Sequence, residues 1–247
     1  MADWGKIAVA VRCGVAADPL FFVCWTRLLM SGLRPGDTVL APAIELPQHY
    51  AAEALARSFL QTEADTIFFV DDDMTFMPAD LAALRDDAEG QEYDMLQALC
   101  LSRNPPHYPV INEPVEGTEM NRNSAIPARN TIVDVSLVGL AFTLIRRRVF
   151  AEVDKTKFHN TFYFSWNARG DSEDAGFSYL ARKAGCKIGV NTRVSIGHRI
   201  PTVLKWDIER EGISYETQFQ EIKQANVIKR GDMAQKEDAH GWKSIGN

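Results

Sequence analysis

Phe68-Phe69-Val70-Asp71-Asp72-Asp73-Met74 sets three consecutive carboxylates where an apolar run ends, and the fold is read outward from that junction. Residues 66–70 form a short apolar stretch rich in β-branched and aromatic side chains, which predicts a strand. Upstream, residues 7–11 read as a buried strand, 19–30 as a helix and 38–41 as a short second strand. Leu46, Tyr50, Ala54, Leu55 and Phe59 then recur at helical spacing. The series is βαβαβ. Such a series favours an α/β fold, Rossmann-like, with a mostly parallel sheet, helices on both faces and ligands bound beyond the carboxyl ends of the strands. Asp71, Asp72 and Asp73 occupy one of those ends. Three like charges at that spacing repel, and a hard divalent cation shared with phosphate oxygens, Mg2+ or Mn2+, relieves the repulsion. The structural alternative is a solvated acidic turn.

Downstream, a helix is expected from about Pro78, and residues 93–101 form another apolar stretch that leads into the loop Ser102-Arg103-Asn104-Pro105-Pro106. The segment 112–130 is long and polar, a functional or mobile loop by its length. A strand over 136–145 contains Gly139, a short helix covers 147–153, and Phe162 to Phe164 is a further apolar piece. A helix over 172–184 ends at Gly185, followed by strands over 187–190 and 194–198. Residues 204–227 are read as an amphipathic helix, and the stretch from Gly231 as weakly ordered. The expected organisation is one catalytic domain over 1–203 with a C-terminal helix and tail over 204–247.

Composition narrows the function classes. Of 247 residues 46% are hydrophobic and 24% charged, enough for a substantial core. The formal charge of -6 supplies no global positive field for nucleic acid or anionic membrane. Cys13, Cys24, Cys100 and Cys186 are far apart, with no C-x-x-C pair, so neither a zinc site nor a disulfide framework is expected. The residues at the N-terminus lack a signal peptide's basic and apolar regions, and the apolar run of 20–30 is interrupted by Arg27 and too short to span a bilayer. A cytoplasmic location and no transmembrane segment are the expectation; the oligomeric state is left open.

Two further features carry chemistry. Gly170-Asp171-Ser172-Glu173-Asp174 opens the helix of 172–184. Its structural reading is a helix start, where Asp171 or Ser172 caps and acidic residues suit the backbone dipole. His198 ends the strand of 194–198, a polar strand terminus that is also a natural metal ligand.

In this order the pieces resemble the nucleotide-sugar glycosyltransferases of the GT-A fold, a mixed α/β sheet flanked by helices, especially the family-2-like enzymes common in bacteria and phages. The resemblance spans most of residues 5–200. It implies transfer of a sugar from a nucleotide-diphosphate donor, a UDP-sugar, to a hydroxyl acceptor with Mn2+ or Mg2+. By resemblance, Asp71, Asp73 and His198 hold the metal, and Asp71, Asp72 and Gly139 meet the donor, Gly139 by close backbone approach. Glu173 and Asp174 match the acidic pair at the head of the acceptor-side helix, with Asp174 as catalytic base and Glu173 orienting the acceptor or sharing the site. Arg103, with Asn104, Pro105 and Pro106, resembles a donor-side loop of some relatives, and Arg12 is placed near the base. The segment Arg12-Cys13-Gly14-Val15 departs from the threonine-rich opening of many members, and the C-terminal tryptophan motif is not evident. The acceptor, whether saccharide, lipid-linked sugar, protein or modified nucleic-acid base, therefore does not transfer.

A rival enzyme shares part of this pattern. Asp71-Asp72-Asp73-Met74-Thr75 fits the D-x-D-x-T motif of haloacid dehalogenase-like phosphatases, with Asp71 as nucleophile and Asp73 as acid/base. Against it, two strands precede the motif where the nucleophile strand normally comes first, residues 165–169 are too polar for the strand leading to the late metal motif, and His198 has no role. A non-catalytic nucleotide-sugar binding protein is the third reading.

Overall fold

The computed structural model describes residues 4–14, 17–87, 91–102, 107–114, 121–123, 131–156, 162–164, 172–200, 202–207, 212–217 and 227–229. The chain opens with β1 (Ile7–Cys13), α1 (Pro19–Ser31), β2 (Thr38–Val39), β3 (Ala43–Ile44), α2 (Gln48–Leu60), β4 (Thr66–Asp71), β5 (Met74–Thr75) and α3 (Pro78–Asp87). It continues through β6 (Met95–Leu99), β7 (Asn112–Pro114), β8 (Asn121–Asn123), β9 (Ile132–Asp134), β10 (Phe142–Arg146), α4 (Arg147–Thr156) and α5 (Glu173–Lys183). Five strands follow: β11 (Ile188–Ser195), β12 (Gly197–Ile200), β13 (Thr202–Asp207), β14 (Gly212–Thr217) and β15 (Val227–Lys229).

The main sheet runs β2-β1-β4-β10-β6-β11-β9, with β3 also paired to β1. β2, β3 and β4 are parallel to β1, and β11 is parallel to β6. β10 lies antiparallel between β4 and β6, and β9 antiparallel on β11, so the sheet is mixed.

Alternation along the central strands divides the core. Ala8, Ala10, Ile67 and Phe69 point to one face with α2, α4 and α5, where Phe59, Phe150, Phe164 and Phe177 fill the layer. Ile7, Val9, Val11, Phe68 and Val70 point to the other, against Phe21, Cys24 and Leu28 of α1 and Leu81 and Leu84 of α3. The chain therefore leaves β1 over one face through α1 and returns to β4 over the opposite face through α2. The ends of β1 and β4 form a topological switch point, where a crevice opens beyond the carboxyl ends of the strands.

Local chemistry accounts for the helix limits. Asp18 N-caps α1, its Oδ1 accepting from the Leu20 N–H at 2.8 Å, and Pro19 occupies the first turn where its missing N–H costs nothing. α5 closes in a Schellman motif: the Cys186 N–H donates to the Ala181 carbonyl at 2.9 Å and the Gly185 N–H to the Arg182 carbonyl at 2.8 Å. Gly185 takes φ +84°, which glycine adopts without a Cβ clash.

Several expectations are corrected. The helix expected over 204–227 is replaced by strands β13, β14 and β15, which with β12 and β5 form a second, antiparallel sheet. Ile213, Tyr215 and Thr217 alternate at strand period, and Gly212 weakens a helix there. β13 starts at Thr202, so the expected boundary after residue 203 falls inside a strand. The long polar loop of 112–130 contains the paired strands β7 and β8. Only the last part of 136–145 is strand, leaving Gly139 before β10. In α2 the core face is Ala51, Ala52, Leu55, Ala56 and Phe59, while Leu46 and Tyr50 are exposed. Among the described residues no helix is long and apolar enough to cross a membrane, and all four cysteines are free thiols.

Candidate active site at the switch point

The acidic run occupies the turn between β4 and β5, and four main-chain bonds hold it. The Asp71 N–H donates to the Ala141 carbonyl at 3.1 Å and the Asp72 N–H to the Arg12 carbonyl at 3.3 Å. The Asp72 carbonyl accepts from the Asp18 N–H at 3.2 Å, and the Asp73 carbonyl from the Arg199 N–H at 2.9 Å. β1, the cap of α1, the segment before β10 and β12 therefore all contribute to the position of this turn.

Each aspartate faces a different partner. Arg12 and Asp71 are register partners across the parallel pair β1 and β4, which sends both side chains to the same face. Arg12 grips the carboxylate bidentately: Nε–H donates to Oδ1 at 2.7 Å and Nη2–H to Oδ2 at 2.8 Å. Its Nη1–H reaches Glu173 Oε1 at 3.1 Å, so one guanidinium joins the strand-end acids to the head of α5. Burial opposes the arginine's charge, but the adjacent Asp71, with Asp174 and Glu173, overcomes it and holds the guanidinium protonated above its usual range. Loss of the shared arginine from a buried cluster costs about 3–5 kcal/mol, because its carboxylates are left uncompensated.

Asp72 turns to the β1–α1 side. Its Oδ2 accepts from the Gly14 N–H at 2.7 Å. The Cys13 thiol is pushed up to about 11, by burial first and then by its hydrogen bond to, and repulsion from, Asp72.

Asp73 turns towards His198 on β12, with Oδ2 at 3.5 Å from Nε2. Nδ1 lies 2.8 Å from the Leu101 carbonyl, which accepts only, so this nitrogen carries a proton and Nε2 is the ring atom turned towards Asp73. One carboxylate oxygen and one imidazole nitrogen, with the ring fixed from behind, suit a divalent cation whose remaining ligands are phosphate oxygens or water. Mn2+ accepts such a mixed donor set. Among the described residues no three His, Cys, Asp or Glu side chains group as metal ligands. Asp71, expected as the third ligand, has both oxygens on Arg12.

The second acidic motif sits beside the first. Asp174 Oδ1 accepts from the Ser172 hydroxyl and from the Ala175 N–H, the latter at 2.9 Å, and the carboxylate is half-buried. Glu173 is 3% exposed and turned to Arg12, not outward towards an acceptor as expected. Gly139 lies beside this carboxylate: a Cβ there would stand 3.4 Å from Asp174 Oδ2, at van der Waals contact. Its N–H donates to the buried Gln97 Oε1 at 2.8 Å, and Ser178 of α5 bonds the Val138 main chain, so this segment is pinned to α5.

A cavity of about 600 Å3 opens here, lined by Arg12, Asp71, Asp72 and Asp73 together with Asp18 and Arg199 among others. Sequence reasoning missed the last two. Arg199 Nε–H donates to Asp18 Oδ2 at 2.7 Å, which ties the start of α1 to β12. Asp18 before Pro19 is a readable helix cap, but nothing local places it opposite a residue 181 positions away. Arg103 and its proline loop lie outside the described residues.

The fold has a solved counterpart. It is similar to the crystal structure of A197 from STIV, with a TM-score of 0.55 and 14% identity over 89% of this chain and 98% of that one. GalNAc-T7, solved with UDP, GalNAc and Mn2+, aligns with a TM-score of 0.49 and 10% identity, over 79% of this chain and 44% of that one. No protein-family model and no curated protein matches the sequence.

Proposed function

We propose that the chain is a divalent-metal-dependent glycosyltransferase of GT-A type, taking its sugar from a nucleoside-diphosphate donor of the UDP-sugar class and passing it to a hydroxyl acceptor. The observation that carries this reading is the facing pair Asp73 Oδ2 and His198 Nε2, 3.5 Å apart, at a switch-point turn whose aspartates line a cavity. Asp73 and His198 would hold the cation, which when bound offsets charge developing on a leaving diphosphate. The Leu101 carbonyl keeps the His198 ring in the tautomer that offers Nε2. Asp72 and the main chain at Gly14 bound the donor side.

Asp174 is the base of this proposal. Its Oδ1 is engaged by Ser172 and Ala175, leaving Oδ2, beside the side-chain-free Gly139, to take the acceptor's proton. Glu173 serves as the charge partner of Arg12. The phosphatase alternative is not favoured, since an Asp71 nucleophile would first have to release two hydrogen bonds to Arg12.

The test is calorimetric titration with UDP, with and without Mn2+, followed by incubation with a panel of nucleotide sugars. The expected result is Mn2+-dependent UDP binding and slow donor hydrolysis. Absence of nucleoside-diphosphate binding under both conditions, or phosphate release from an aryl phosphate, refutes the proposal.

A further inference from the structure

The structure assigns Arg12 as a positioning residue that withholds Asp71 from the metal and locks the head of α5, with its candidate base, onto the donor end of β4. The assignment of consequences for transfer rests on the glycosyltransferase reading above; the pairing itself does not.

Three observations carry it. First, both Asp71 oxygens accept from one guanidinium, at 2.7 and 2.8 Å, and the register of β1 against β4 dictates that orientation. Asp73, two residues on, faces His198 instead. The D-x-D is therefore split: its first carboxylate serves an internal cation and its third faces the imidazole. Second, Arg12 and Glu173 have side chains only 8% and 4% exposed, so their contact is an interior one. Third, the remaining end of the guanidinium reaches α5, placing Asp174 one residue from a charge that is anchored at the sheet. Arg12 can do this because its planar fork serves two carboxylates at once, which a lysine ammonium cannot reproduce.

This arrangement yields an ordering that a simple three-ligand metal site does not. Asp73→Asn is expected to weaken Mn2+ binding, measured by calorimetry in the presence of UDP, by tenfold or more, the scale on which metal-site partners act. Asp71→Asn is expected to change it by less than about threefold, while transfer falls because Arg12 loses its anchor. Arg12→Lys keeps the charge and is expected to lower kcat by about tenfold or more with little change in the donor KM; Arg12→Gln lowers it further, so the lysine variant is a partial rescue. Glu173→Gln, which keeps the shape and an acceptor oxygen, tests the same link if Arg12 variants fold poorly.

Equal loss of Mn2+ affinity in Asp71→Asn and Asp73→Asn overturns the inference, as does wild-type kcat in both Arg12→Lys and Glu173→Gln. If the unmodified protein binds neither Mn2+ nor UDP, the functional reading fails and the pairing is judged alone. Thermal melting of Arg12→Lys, Glu173→Gln and the double variant then decides it: non-additive losses support the lock, and additive losses refute it.

Discussion

Replacing Asp174 by Asn separates a proton acceptor from a helix-start residue, because the helix-start bonds fall on one carboxylate oxygen and the proposed proton acceptor is the other. Oδ1 accepts from the Ser172 hydroxyl and the Ala175 N–H, and the Asn carbonyl oxygen can keep both bonds. What is lost structurally is a negative charge in the first turn of α5, about 0.3–1 kcal/mol, and an attraction to Arg12 that Asp71 and Glu173 already supply. A total of about 1 kcal/mol lowers Tm by roughly 2–4 °C in a chain of this size. Chemically the loss is far larger, since the Asn Nδ2 that replaces Oδ2 cannot take a proton, and a positioned base contributes about a hundredfold to ten-thousandfold in rate. Transfer from a UDP-sugar and Mn2+-dependent UDP binding, measured on one preparation with its melting curve, check both parts. A folded Asn variant that binds UDP normally and still transfers at near wild-type rate refutes the assignment of Asp174 as base.

Gly185→Ala is expected to cost about 1 kcal/mol, since no atom lies within 4 Å of the added Cβ and only the left-handed φ of +84° is strained; an unchanged melting temperature in differential scanning calorimetry contradicts this. Raising the pH from about 9 to 11 is expected to destabilise the fold through its thiols. Burial first, then neighbouring carboxylates, pushes Cys13 and Cys186 up to about 11, and Cys100, despite the Gln97 hydrogen bond that lowers it, up to about 12. The unfolded chain loses these protons near 9 while the folded chain keeps them, so stability is fully present below pH 9 and falls as the pH rises through 11. Melting curves for the wild type and a Cys13→Ser, Cys100→Ala, Cys186→Ser variant, compared at pH 8 and pH 10.5, test it; equal losses in both proteins rule out the thiols as the cause.

The first half of the fold was legible because it is local. β1, α1, α2 and β4 each carry their own period or cap, and the acidic run marks where β4 ends. The end of α5 was legible for the same reason, with Gly185 at the position its Schellman motif demands. The second sheet was not. β5 is two residues long, too short for any period, and β13 and β14 mix charged and apolar residues in a way that fits either spacing until their partners are known. Site residues followed the same division. Asp73 and His198 are joined in the sequence only by the family resemblance, and the structure sets them 3.5 Å apart. The part played by Arg12 was hidden, because Glu173 meets it across 161 residues and no local pattern encodes that contact.

The turn at residues 71–73 is also a seam between two sheets. Asp71 ends a strand of the main sheet, whereas Met74 and Thr75 immediately after Asp73 begin the second, where β5 pairs His198 opposite Met74 and Gly197 opposite Thr75. The Arg12–Asp71 lock therefore inherits its rigidity from the main core, while the Asp73–His198 pair inherits its alignment from a ladder that runs on through β13 and β14 towards the C-terminus. A chain shortened to end after β12 would keep the lock and the whole main sheet, yet strip the backing strands from His198. Its heat stability would be a poor guide to the geometry of the proposed site, since the residues that hold the fold and those that align Asp73 with His198 answer to different parts of the sequence.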